Sequence, residues 1–483
     1  MKYTKRSLLV FFLLAFMYGY YYQDPEANGN SRIGLIFAIV QEGRLTIDSY
    51  YDNEGTRTID VAIFDGHYYS DKAIGTSLLG ALVYAPMYWL MKLSGYSLSL
   101  LHIKYLLTFL VVGLPSAFAG SLVYVLCETI SESRTRAYLT TLAITLGTMC
   151  LPFSAIFFGH QLAAALLFCS FFLIFKLKYK PELHQKKGYL FLIGFLLGLA
   201  FLTEYTTFMI ILPLYFYYLY ILREKWSFRW IQSTIIPPIL GGSISLAILM
   251  IYNTLCFRNP FLIGYENLAN QYQAVMSQGF LGISWPRISI LFYLTFHPAQ
   301  GLFWQSPVLL MSLVGFYFLW RARRYRIEWA VVMIAFFSYL LINSGYFLWW
   351  GGASFGPRHL IPMLLFLAIP LIMVPKRFDL LVIILCVISI GQMLIPLAGK
   401  MLVPDTYFIE NAHLNFFGYS TIYSFSLQQL LKGYFAYNLG TKFFGLRNWM
   451  ILLPNILAIL VTTGIFVVTE KYTIGKDLPK VSI

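Results

Sequence analysis

The residues able to do chemistry gather in a few short segments. The first reads Asp24-Pro25-Glu26-Ala27-Asn28-Gly29-Asn30-Ser31-Arg32, with three further ionisable candidates at Asp60, Asp71 and Lys72. Carboxylates beside a turn suit general-base or metal-binding work on a headgroup at a membrane surface. An ammonium at the same level suits a lipid phosphate. The alternatives are hydrated surface charges for the acids and an ion pair or a snorkelling side chain for Lys72. Three later segments add His160 in Phe158-Gly159-His160-Gln161, Glu204 in Leu202-Thr203-Glu204-Tyr205, and Arg358-His359 after Gly356-Pro357. Glu204 sits between two apolar runs, where an acid is costly unless it is paired or functional, and Arg358 or Lys72 is the partner expected. Its other reading is exposure in a tight turn. Arg358 opens an apolar run after a glycine-rich turn, where a helix N-terminus and a guanidinium both favour a phosphate. His160 could bind a metal, donate to a phosphate or cap a helix. No HExxH, CxxC, GxxxxGK[ST] or GxSxG set accompanies these groups.

The elements that must position them are membrane helices. The chain has 483 residues, 59% hydrophobic and 12% charged, with a mean hydropathy of +0.68. A soluble protein carries roughly a quarter charged residues, so soluble-enzyme, disordered and disulfide-scaffold classes are excluded. The five cysteines all lie in or beside apolar runs and read as buried free thiols. Spans need about 20 apolar residues, and twelve runs qualify: 7–22, 98–127, 137–156, 160–177, 188–203, 206–222, 231–252, 306–320, 328–346, 359–374, 380–397 and 449–469. The first lacks a small-residue cleavage site and reads as a retained helix. Residues 75–95 are apolar enough to cross, but laying them along the outer surface puts 22 of the 35 Lys and Arg on the inner side, which accounts for most of the +14 charge and satisfies the positive-inside rule. The expectation is an all-α polytopic protein forming a single integral membrane domain (1–483), with about 12 spans (11–13) and both termini inside. Its outer loops are 23–97, 253–305 and 398–448, the last containing Asp405, Glu410 and His413. In the first, an interfacial helix capped by Asn30 or Ser31 is predicted over 33–43, and a second begins at Gly75-Thr76.

The acidic turn after the first helix, Arg32 at the start of an interfacial helix, Tyr69-Ser70-Asp71-Lys72 before a second one, and Arg358-His359-Leu360-Ile361-Pro362 opening a late span together resemble the GT-C superfamily. The pattern is most similar to bacterial relatives of protein O-mannosyltransferases and lipid A aminoarabinose transferases. The resemblance implies a multi-span helical fold with two juxtamembrane helices in the first outer loop. It implies a glycosyltransferase of inverting type, moving a sugar from a polyprenyl-phosphate carrier to a glycan, lipid or protein acceptor, with no nucleic acid involved. The setting it implies is the bacterial cytoplasmic membrane, with the site facing outward. Position by position, Arg32, Lys72 and Arg358 would hold the donor phosphate, while Asp71, His160, Glu204 and His359 would support the site. A single divalent cation is the one cofactor left open. The chain departs from the family pattern where the catalytic Asp should stand, reading Asn28-Gly29-Asn30. An amide cannot accept a proton as a base, so Asp24, Glu26 or Asp60 would have to serve, or the chain is inactive. The other readings are a transporter, or a polymerase or ligase of lipid-linked polysaccharide. The gathering of ionisable residues at the outer ends and in the first loop, with no internal repeat, argues against the first, and the single histidine of the late loop against the second.

Overall fold

The computed structural model describes residues 3–223, 227–269, 273–276, 279, 281–404, 407 and 420–476. Asp405, Glu410 and His413, and the last basic residues of the chain, lie outside the described residues or their side chains. The chain is mostly helical, at 72%. Among the described residues six helices are long and apolar enough to cross a membrane: Leu100–Ser131, Gly159–Leu177, Phe228–Phe257, Arg323–Gly345, Lys376–Ala398 and Asn448–Glu470. Shorter apolar helices cover Lys187–Thr203, Tyr205–Ile221, Leu309–Arg321 and Arg358–Ile372. This is a multi-pass membrane protein.

Two of the expected spans are built differently. Residues 137–156 form not one rod but a twelve-residue helix, Arg134–Thr145, followed by the four-residue helix Cys150–Phe153. The amides of Leu146 and Gly147 both donate to the Leu142 carbonyl, closing the helix, and Pro152 further on has no amide to donate. Arg358–Ile372 alternates 3₁₀ and α turns around Pro362 and Pro370, and from Leu360 to Ile372 every side chain is buried. It is a central strut packed on Gly159–Leu177. Elsewhere small residues set the spacing. A Cβ on Gly194 would lie 1.8 Å from the Pro238 carbonyl oxygen, and one on Gly241 would lie 2.2 Å from that of Phe191. Lys187–Thr203 therefore packs backbone to backbone on Phe228–Phe257.

The segment after the first helix positions the candidate chemistry. Its helix runs over Glu26–Phe37, with Pro25 at the N-cap and the Asp24 Oδ1 accepting the Glu26 amide at 3.0 Å. The cap expected at Asn30 or Ser31 is therefore overturned: both residues lie inside the helix and are buried. Their side chains bridge to other segments instead, Asn30 to Lys104 and the Arg57 carbonyl, Ser31 to Ser70. Strands are present as well, against the all-helical expectation. Val61–Phe64 pairs antiparallel with His67–Ser70, and Tyr21–Tyr22 pairs with Tyr437–Asn438. Asp65 and Gly66 both adopt positive φ in the hairpin turn (50° and 79°), as a two-residue turn between twisted strands demands. The helix Gly75–Ser94 follows, burying Gly75, Thr76, Ser77, Gly80, Ala81 and Tyr84 on one face.

Candidate functional site

Two adjoining cavities, of about 150 and about 180 Å³, meet at Lys72 and Arg358. Each is several times the ~30 Å³ that one water occupies. Glu26, Asn28, Asp60, Asp71 and Phe158 face the first; Arg32, His160, Glu204, Tyr205 and His359 face the second. Chain separation among these groups is large, so the ends of several helices and the hairpin assemble the site jointly.

Lys72 is held from two sides. Its Nζ lies 2.9 Å from Asp60 Oδ2 and 3.0 Å from Asp71 Oδ2, and 5.9 Å from the Tyr265 ring centroid. Burial disfavours the ammonium, but Asp60 and Asp71 outweigh it and hold the Lys72 pKa above the ordinary lysine value. Asp71 is more deeply buried, and burial pushes its carboxyl up despite the pull of Lys72 and Arg32. Among the described residues no group of three metal-ligating side chains is present. The carboxylate pair at Asp60 and Asp71 already has an ammonium between its oxygens, so a divalent ion there would have to displace Lys72.

Arg358 differs in kind. It is 8% exposed, its Nε has no hydrogen-bond partner, and it makes no ion pair with any described residue. Its guanidinium carbon stacks 5.0 Å from the Phe158 ring. The turn before it wraps the side chain closely: Gly351 has φ 86°, and a Cβ there would stand 3.0 Å from Arg358 Cγ. His359 Nε2 is likewise buried without a partner, and its ring meets that of His160 edge-on at 5.3 Å.

Arg32 and Glu204 form the third unit. Arg32 Nη2 lies 3.0 Å from Glu204 Oε1, and its Nη1 donates to the Ala73 carbonyl at 2.8 Å. The partner expected for Glu204, Arg358 or Lys72, is replaced by Arg32. The reason is packing: Gly75 sits against the backbone of Leu202 and Thr203, bringing the start of Gly75–Ser94 and the buried face of Glu26–Phe37 onto Glu204. His160 Nδ1 adds a contact at 3.5 Å, and Gly159 is obligatory beside it because a Cβ would come within 2.3 Å of Glu204 Oε1. Burial raises the Glu204 pKa, while Arg32, Arg358 and Lys72 pull it back.

The sequence-predicted acids separate. Asp60 faces the cavity. Glu26 reaches its rim and pairs with Lys400 at 3.4 Å, both half-exposed. Asp24 turns away to Lys104 at 3.4 Å. Lys104 was not anticipated, although a lysine in Leu100-Leu101-His102-Ile103-Lys104 is a charge inside an apolar run and carried that signal. It is 3% exposed and donates to Asn30 Oδ1 at 2.9 Å. Tyr265, which lines both cavities, had no distinguishing sequence signal. No protein-family model matches the chain, and no curated protein matches it in sequence.

Proposed function

We propose that the protein is a membrane glycosyltransferase of GT-C-like, about twelve-span architecture, which takes a sugar from a polyprenyl-phosphate donor at the outer face. The observation that carries this reading is the buried Arg358 guanidinium, without an ion pair among the described residues, sharing a cavity with Lys72 and its two carboxylates. A buried cation without a counterion is costly, and a phosphate monoester supplies both the charge and the acceptors. In this reading the phosphate draws Lys72 away from Asp60. The freed Asp60 carboxylate then takes the proton from the acceptor hydroxyl as its oxygen bonds to the anomeric carbon. The bond from that carbon to the phosphate oxygen breaks, and polyprenyl phosphate leaves with the electron pair, its charge met by Arg358 and Lys72. Arg32 acts through Glu204 and the start of Gly75–Ser94, as a positioning residue rather than a phosphate ligand. Asp24 is occupied by Lys104 and takes no part.

The test needs no knowledge of the acceptor. Polyprenyl phosphate is titrated into the purified protein in detergent, with Arg358→Ala, Arg358→Lys and Asp24→Asn as variants. A lost charge-assisted hydrogen bond of about 1.5–3 kcal/mol corresponds to roughly 10- to 150-fold weaker binding for Arg358→Ala. Lysine should restore part of it, and Asp24→Asn should bind as wild type. Unchanged affinity in Arg358→Ala, with the fold intact by circular dichroism, rejects the reading.

A further inference from the structure

An apolar groove of about 610 Å³ runs between the helices Leu100–Ser131, Gly159–Leu177 and Lys187–Thr203, well away from the site above. Phe118, Cys169, Leu173 and Leu192 are among its walls, and Tyr3 and Lys176 also line it. From Ala165 to Lys176 it follows one helix for eleven positions, about 16 Å at 1.5 Å per residue. That is about half of a ~30 Å hydrocarbon core, the depth of one leaflet. The positive-inside pattern assigns the Lys176 end to the inner leaflet.

Charge decides what fits. Lys176 is half-buried in an otherwise apolar lining, and its ammonium has no acidic or hydrogen-bonding partner among the described residues. Lys5 and Arg6, outside the lining, also make no ion pair with a described residue, and they are close in sequence to Tyr3, whose hydroxyl is tied to Ser121 Oγ at 3.0 Å. Lys187 begins the third helix of the groove. The groove thus joins a leaflet-deep apolar channel to a cation lacking an anion among the described residues, with more positive charge close to it in sequence.

We propose that this groove holds an acyl chain of one anionic glycerophospholipid from the inner leaflet, with the lipid phosphate on Lys176. The proposal is independent of the glycosyl-transfer reading. Cys169 offers a control for the apolar part: it is the one cysteine of the five that is not fully buried, so a larger side chain there fills the channel without touching the cation.

The full chain in detergent is titrated with dioleoyl phosphatidylglycerol or dioleoyl phosphatidylcholine, and bound lipids are counted by native mass spectrometry. One phosphatidylglycerol per chain should be retained in preference to phosphatidylcholine. Lys176→Met should weaken that retention by about fivefold, the worth of one basic contact. Cys169→Phe should weaken retention of both lipids, while the circular-dichroism spectrum stays that of the wild type in both variants. Equal retention of the two lipids by wild type overturns the proposal, as does wild-type phosphatidylglycerol retention by Lys176→Met.

Discussion

Breaking the Arg32–Glu204 pair should destabilise the protein asymmetrically. At 3.0 Å and an effective dielectric near 20, the gross attraction is about 5–6 kcal/mol. The measurable quantity is smaller: removing one partner of a buried pair costs about 3–5 kcal/mol, because the other charge is left uncompensated. Glu204→Gln leaves Arg32, 2% exposed, beside a neutral amide. A guanidinium cannot shed its proton, so the full penalty should hold wherever wild-type Glu204 is ionised, and it should shrink as pH falls through the raised pKa of that carboxyl. Arg32→Met removes the cation and its bond to the Ala73 carbonyl, but the stranded carboxyl has an escape. Burial already raises its pKa, so it can take up a proton, and the variant should recover stability as pH falls. The double variant removes both charges and should lie above the sum of the single losses by about 2 kcal/mol or more, far outside the ~0.5 kcal/mol scatter of independent sites. Unfolding by SDS in mixed micelles, followed by circular dichroism at several pH values, supplies all four corners of the cycle. Glu204→Gln within about 0.5 kcal/mol of wild type, or strictly additive losses, would falsify the assignment of this pair as the internal brace.

Four further outcomes are expected. Asp71 and Glu204 both have folded-state pKa values raised by burial, so the folded chain binds protons more tightly than the unfolded one. Their stability contribution is complete below the ordinary carboxylate range of about 4 and is lost as pH rises through the raised values. Asp71→Asn should flatten the fall of Tm as pH rises above the ordinary carboxylate range; a steeper fall in the variant would show the sign to be wrong. Lys72 follows the opposite end of the scale: its raised pKa contributes stability fully present below about 10.4 and lost above it. Gly75→Ala would place a Cβ 2.7 Å from the Leu202 carbonyl and the Thr203 nitrogen, costing about 1–3 kcal/mol and weakening polyprenyl-phosphate binding. Gly188→Ala, whose Cβ meets nothing within 4 Å, is its control, and equal Tm for the two variants would contradict the packing argument. Finally, polyprenyl-phosphate binding should persist in EDTA, because Lys72 stands between Asp60 and Asp71. A loss restored by added magnesium would give that position to a metal instead.

The sequence readily exposed what is energetically expensive and concealed what is set by packing. Arg32, Lys72, Glu204 and Arg358 stood out because charge in an apolar chain needs a reason, and the structure brings all four to the lining of two touching cavities. Hydropathy also located most helices, since burial against lipid or protein leaves the same apolar run. It could not separate those two environments. Residues 359–374 read as an ordinary span, yet Leu360–Ile372 is wholly enclosed, and 137–156 read as one rod although it contains a break. Partners were the least accessible, because Arg32 and Glu204 lie 172 positions apart and meet only through the close approach at Gly75.

One partner could have been read. Asp65-Gly66 between Val61–Phe64 and His67–Ser70 is a two-residue hairpin signal, and the pairing register matches Val61 with Ser70. Extending that register by one position sets Asp60 opposite Asp71. Two like charges facing each other across a hairpin repel, so a cation is required beside them, and Lys72 is the next residue along. The facing of Asp60 and Asp71 therefore follows from a turn dipeptide and its register, with no knowledge of the helices, while Lys72 reaches both carboxylates because the strand ends at Ser70 and its alternation no longer applies. A helix-only expectation hid it by treating residues 44–74 as loop. The same reasoning explains why Asp24 and Glu26, although nearer the resemblance-derived position of the base, do not share the arrangement: the hairpin that delivers Asp60 to Lys72 does not include them.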